Sequence, residues 1–404
     1  MAVCALWLIQ CLALGREFPG ASTNRQEGAA VEKGIVILVE FPDVKHNVTR
    51  DQVYTRFSEH LNSYVKQMSY NTLSLEIDVT RKWHTMPDSI SRYRISPRNL
   101  EVDKSRVRKL IVDAINAADE EVDFSEYTFA VVYMGAQVME YGMVGLCGYP
   151  GMLGWRTSDV LNTQSGQVIR GGIAIFTYQA HVGTLFHDIA HILGGVKDGK
   201  RMVPCLYDHD LQAKPGPLRE TAVDAMVNMG FWDPMSCHYY QRGIPPPGIC
   251  SWTKMRLNWI DQSQVKIIQP GETAEFILGP LEVGASKILV AKIPISRTTY
   301  YLIENRQPIG CDRILPGHGV LIMYADDDIP ECRHGKAPVK LMNANPSVPH
   351  LEGAAFDVGG NDAFVDKQNR ITIQLKEKSR GSYRIVVSPL QKDDPNRDAA
   401  VKSP

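Results

Sequence analysis

Two histidines four residues apart, His187 and His191, lie in the run HVGTLFHDIAHILGGVKD (181–198) of this 404-residue chain. On a helix that spacing stacks both imidazoles on one face, which is how two side chains of one element come to share a metal ion. The acid between them is Asp188, a carboxylate that can accept a proton from a water attacking a polarised carbonyl. At about 100° per residue, Val182, Leu185, Phe186, Ile189 and Leu193 gather on the opposite side, so that side is expected in a core and the histidine side in a cleft. Gly194 and Gly195 supply the helix stop.

The pattern is that of the H-E-x-x-H zinc-peptidase helix with Asp188 in place of the glutamate. There the histidines hold the zinc and the carboxylate acts as general base. Aspartate is one methylene shorter, and displacing a catalytic group by about 1 Å can cost on the order of a hundredfold in rate. The change therefore bears on turnover more than on metal binding.

The elements that must position this helix belong to a chain of ordinary globular composition, 44% hydrophobic and 22% charged, long enough for one large domain or two moderate ones. A net charge of −1 gives no reason to expect nucleic acid or an anionic membrane as partner. Residues 2–14, AVCALWLIQCLAL, are uncharged, too short to span a bilayer, and shaped like a signal-peptide core, although no Lys or Arg precedes them. Cleavage near Ala13-Leu14-Gly15 would make the protein secreted, with a signal peptide over 1–15. It would leave Cys147, Cys205, Cys237, Cys250, Cys311 and Cys332, an even set that in a secreted chain suggests disulfides of open pairing. No C-x-x-C pair exists, which argues against a ribbon-type zinc site or a thioredoxin-like motif. Asn47-Val48-Thr49 is a glycosylation sequon.

Residues 16–32 are polar and read as a flexible lead-in. Gly34 to Pro42 is a continuous apolar run, the mark of a buried central strand. Asp51 to Met68 has helical spacing, Leu73 to Thr80 alternates as a strand, and Val107 to Ala118 reads as a helix. Phe129 to Met134 is a second buried strand, Gly142 to Gly154 a loop rich in glycine and sulfur, and Ile169 to Tyr178 a strand leading into the histidine helix. Beyond the rigid joint Pro245-Pro-Pro-Gly248, Trp252 to Trp259 reads as a short helix. From Val265 short alternating segments (Ala274 to Leu278, Lys287 to Ile293, Tyr300 to Glu304, Gly319 to Tyr324, Ile371 to Leu375, Tyr383 to Val387) indicate a β-rich part. The expected architecture is α+β: a catalytic domain over 33–262, a sandwich-like β-rich domain over 263–388, and a disordered tail over 389–404.

The order of these features resembles the M6 peptidases, the immune inhibitor A-like secreted zinc metalloproteases. The resemblance runs from Lys33 to Val387 through VEFPD (39–43), SYVKQMSYNTLSLEIDV (63–79), the histidine helix, LYD (206–208), WDPMS (232–236), PPPG…SWTKMRLNWI (245–260) and YYLIENRQ…LPGHGVLI (300–322). It implies a metzincin-like catalytic domain, a zinc ion on His187 and His191, a protein or peptide substrate, and Met235 of WDPM as a hydrophobic floor beneath the metal.

The chain departs from that family at three points. Asp188 replaces the catalytic glutamate. The family's acidic third ligand lies in a run that follows the second histidine closely, but here Lys197 holds the spacing ten after His187, and an ammonium has no lone pair to give. With one inserted residue the ligand is Asp198, the favoured choice. With a longer insertion VPCLYD (203–208) becomes the counterpart, which puts Cys205 at the ligand position and makes Asp208 the nearest carboxylate; Cys205 is expected in a disulfide instead. The segment between Gly15 and Lys33 hardly has room for the usual pro-segment.

His181 is off the face of the histidine pair and reads as structural or exposed. His209 and His238 are placed to line the cleft, with His238, or Tyr239 and Tyr240 beside it, as a weak candidate for stabilising an oxyanion. Three functions compete: a zinc endopeptidase using Asp188 as general base, a secreted binding protein that has lost turnover, and a metal-free structural module. The retained histidine pair puts the enzyme ahead. Substrate preference and oligomeric state are not legible.

Overall fold

The computed structural model describes residues 29–95, 102–155, 161–212, 223–237 and 246–390. The expected signal peptide lies outside them, as do the lead-in up to 28 and the expected tail beyond Leu390; Pro389, expected in that tail, instead ends a strand. The protein is a mixed α+β fold containing several sheets.

The first sheet is built on β1 (Ala30–Glu40). Its neighbours are β2 (Leu73–Val79), β3 (His84–Thr85), β4 (Phe129–Met134), β5 (Gly145–Tyr149) and β6 (Gly172–Thr177), in the order β2-β1-β4-β6-β5 with β3 also on β1. Every pairing is parallel except that of β5 with β6, which makes β5 an antiparallel edge. The continuous apolar runs exist because both faces are covered. Val36 and Leu38 enter one core while Ile35, Ile37 and Val39 enter another, and β4 divides in the same alternating way. On the second face lies α3 (Lys104–Ala118), which buries Val107, Leu110, Ile111, Ala114 and Ile115. On the first face lie α1 (Arg50–Tyr54), which continues through a π-helical stretch (Thr55–Leu61) into α2 (Asn62–Met68), and the histidine helix α4 (Val182–Gly194).

Two expectations change here. β1 starts at Ala30, so the last residues of the expected lead-in are strand. The glycine-rich segment expected as a loop contains β5. Glycine hides this strand in the sequence because side chains do not fit: a Cβ on Gly145 would stand 2.7 Å from the Phe176 ring and 2.9 Å from Asp188 Oδ2.

After α4 a two-residue hairpin, β7 (Val196–Lys197) with β8 (Lys200–Arg201), precedes the segment through Cys205. Helix α5 (Ser251–Arg256) follows the Pro-rich joint. The β-rich part forms two sheets. One has the order β9-β11-β12-β13-β14: Val265–Ile267, Val290–Pro294, Thr299–Arg306, Gly319–Asp326 and Val339–Leu341. The other has the order β10-β17-β16-β15: Ala274–Leu278, Ser382–Pro389, Ile371–Ser379 and Ala363–Asp366. Along β12 alternate residues separate again. Tyr301 and Ile303 pack with the four-stranded sheet, whereas Tyr300 and Leu302 join the core that holds Leu185, Phe186 and Ile189 of α4. One apolar core thus runs from the histidine helix into the β-rich part.

Candidate metal centre

Helix α4 is buried from Gly183 to His191, so the histidine face is enclosed as fully as the apolar face. This differs from the expected open cleft: His187 is 3% exposed, His191 1% and Asp188 5%. The helix ends as expected, with Gly195 at φ +61° and its amide donating to the carbonyls of His191 and Ile192.

Each imidazole is fixed by a backbone carbonyl. His187 Nδ1 is 3.0 Å from Pro234 O, and His191 Nδ1 is 2.7 Å from Val203 O. A carbonyl only accepts, so each Nδ1 carries the proton and each Nε2 presents a lone pair on the other side. Both Nε2 atoms face one sulfur. Cys205 Sγ lies 3.5 Å from His187 Nε2 and 3.4 Å from His191 Nε2. A tetrahedral zinc ion about 2.3 Å from sulfur and about 2.0–2.1 Å from nitrogen would hold those donors about 3.5 Å apart. The buried His187–His191–Cys205 group can bind a metal ion, its donor atoms all lying within 4.8 Å of one another.

The electrostatics suit a thiolate ligand. Burial alone would raise the Cys205 thiol, but positive charge beside it, on the His191 and His187 rings when protonated or on an ion held in their place, outweighs burial and brings the group well below the usual thiol range. Arg201, 6% exposed, sets Nη2 3.9 Å from the sulfur and 3.5 Å from Glu331 Oε1. Burial tends to lower His187, yet the adjoining Cys205 and Asp188 charges raise it; burial and Arg201 push His191 down to about 4. Burial lifts the Asp188 carboxyl to about 7, against the opposing pull of His187.

The carboxylates favoured from the sequence lie elsewhere. Asp198 is exposed in the hairpin turn, where it and Gly199 have φ of +52° and +70°. A two-residue hairpin of this kind selects Asp-Gly for its backbone, which accounts for Asp198 without a metal. Asp208 is buried, but its Oδ1 accepts from the amides of Asp210 and Leu211 and so caps a short helical turn. Cys205 is the third member of the group beside the two histidines, and no disulfide joins any of the six described cysteines. The sequence signal was VPCLYD itself, in the alignment with the longer insertion, set aside because cysteine in a secreted chain suggested a bridge. Arg201 gave no signal.

Met235 is fully buried in the turn that also presents the Pro234 carbonyl to His187. Its amide donates to Asp233 Oδ1, and its carbonyl accepts from Leu206 N, tying the turn to the Cys205 segment. His181 precedes α4 with Nε2 3.3 Å from Thr184 Oγ1. The Tyr207 ring stacks on His187 at 5.9 Å, and His209 meets Tyr207 edge-on at 5.1 Å. His238, Tyr239 and Tyr240 lie outside the described residues. Asn47 is exposed, its Nδ2 donating to Tyr178 OH at 3.3 Å. No helix among the described residues is long and apolar enough to cross a membrane. No protein-family model matches the chain, and no curated protein matches it significantly.

Proposed function

We propose that this chain is a secreted zinc-dependent endopeptidase of the M6-like kind, with a metzincin-like catalytic part and a sandwich-like β-rich part. The observation that carries the reading is the convergence of two helix-borne Nε2 atoms and one thiolate at 3.4–3.5 Å, with Asp188 one residue from His187. His187, His191 and Cys205 would hold the ion, a nitrogen and sulfur donor set that zinc accepts. When bound, zinc supplies the Lewis acidity that polarises a peptide carbonyl and acidifies water. The chain's own residues supply the rest. Pro234 and Val203 carbonyls hold both imidazoles in the tautomer that turns Nε2 inward. Asp188, next to His187 on the same helix, is the proton carrier of this reading.

The test is cleavage of a quenched-fluorescent unfolded protein by the zinc-loaded chain, beside Asp188→Asn, with and without chelator. Chelator-sensitive turnover that falls about 10²–10⁴-fold in the variant is expected. Equal rates in both proteins would sink the assignment of Asp188. The second reading, a metal-holding secreted binding protein without turnover, is favoured by the deep burial of Asp188 and by its hydrogen bond to the Cys147 backbone. Folded, zinc-loaded protein that cleaves no unfolded substrate would establish it.

A further inference from the structure

We infer that Arg306, in the β-rich part, is a positioning residue of the metal centre, acting on His187 through the Trp232–Met235 turn and the Gly248–Cys250 stretch that closes it. The inference rests on the metal-centre reading. Arg306 has no solvent exposure and lies at the end of β12. Its guanidinium satisfies acceptors from both parts of the protein. Nη1 donates to Trp232 O at 3.1 Å and Nη2 to Gly248 O at 2.7 Å. Trp232 lies two residues before Pro234, and Gly248 two before Cys250, whose amide donates to the Asp233 side chain of the same turn. The cation is fixed in turn by Glu282, Glu304 and Asp312, at 3.1, 3.1 and 2.6 Å.

Two of those carboxylates also grip the joint directly. Asp312 Oδ1 accepts from Gly248 N at 2.6 Å, and Glu304 Oε2 accepts from Ser251 N at 2.5 Å. Asp233 closes the turn by accepting from Met235 N at 2.7 Å and from Cys250 N at 2.8 Å. The same peptide unit whose Met235 N–H meets Asp233 presents Pro234 O, which accepts the proton of His187 Nδ1 at 3.0 Å. Arg306 thus anchors the backbone on both sides of the Asp233 turn, two residues before the carbonyl that orients the imidazole which would carry the metal. Only a planar fork with five donors spans these acceptors; an ammonium with three cannot.

The test uses the full chain. Cobalt(II) is titrated into the metal-free protein, and its affinity is read from the sulfur-to-cobalt absorption in wild type, Arg306→Lys and the remote surface variant Arg384→Lys. The expected result is that folded Arg306→Lys binds cobalt about 10–100-fold more weakly, as when a partner of a ligating histidine is lost, while Arg384→Lys binds as wild type does. Folded Arg306→Lys with wild-type affinity would overturn the inference and leave the metal centre standing. A wild-type chain without a cobalt–sulfur band would overturn the metal centre itself. A reciprocal measurement on wild type needs no variant: loading cobalt should slow amide exchange in 246–253 and 304–312 by about 5–150-fold, with the outer strands β15 and β16 unchanged. Unchanged exchange in both segments would equally overturn the inference, and it decides the matter if Arg306→Lys does not fold.

Discussion

Cys205 Sγ stands 3.4 Å from His191 Nε2, fourteen residues away along the chain, and 3.5 Å from His187 Nε2. The intervening hairpin carries its one plausible acidic ligand, Asp198, out to solvent and folds Arg201 back against the sulfur. Cys205→Ala is therefore expected to lower zinc affinity at least about a hundredfold, beyond the loss caused by removing an outer partner. Asp198→Asn leaves it unchanged. Competition against a chromophoric chelator checks both; full affinity in Cys205→Ala would show that the thiol is not a ligand.

Gly145→Ala tests the fit between β5 and the carboxylate of α4. The new methyl would enter space bounded by the Phe176 ring at 2.7 Å and Asp188 Oδ2 at 2.9 Å. A cost of about 1–3 kcal/mol is expected, the range for overpacking a filled core. Chemical denaturation reads it as a lower midpoint with an unchanged slope. An unchanged midpoint would mean that β5 and α4 are less closely packed than described.

Glu40 sets a pH dependence away from the metal. Burial would raise its carboxyl, but hydrogen bonds from Lys45, His46 and Thr85 outweigh it and bring the group from 4.5 to about 2. As acid is added, the unfolded chain takes up the proton first. This contribution is complete above pH about 4.5 and is lost as the pH falls to about 2. Thermal melts of wild type and Glu40→Gln should differ most near neutrality, with the variant less stable, and the gap should narrow progressively from pH about 4.5 toward about 2. A gap of constant size across that range would exclude this titration.

Much of the architecture was legible because the apolar pattern of a strand follows from whether one or both of its faces are covered. The continuous runs Gly34 to Pro42 and Phe129 to Met134 showed buried strands, and the alternating Ala274 to Leu278 is a strand with the bounds read from its pattern. The histidine pair and the glycine stop were equally local, since both depend on spacing within one helix. Strand β5 was not legible, because Gly145 and Gly148 are there to make room for Phe176, Asp188 and Ile111, which belong to other elements. The third donor failed for a related reason. Asp198 satisfied the spacing on paper, yet a turn that needs positive φ at Asp198 and Gly199 claims it. Which residue returns to the histidines depends on where the hairpin releases the chain.

The central claim is a metal centre of two histidines and one cysteine, and X-ray absorption at the zinc edge of the zinc-loaded chain tests it most directly. About one zinc per chain is expected, with one sulfur neighbour near 2.3 Å and nitrogen neighbours at about 2.0–2.1 Å, the sulfur vanishing in Cys205→Ala. A shell of light atoms alone in the wild-type protein, or a sulfur neighbour that survives Cys205→Ala, would contradict it.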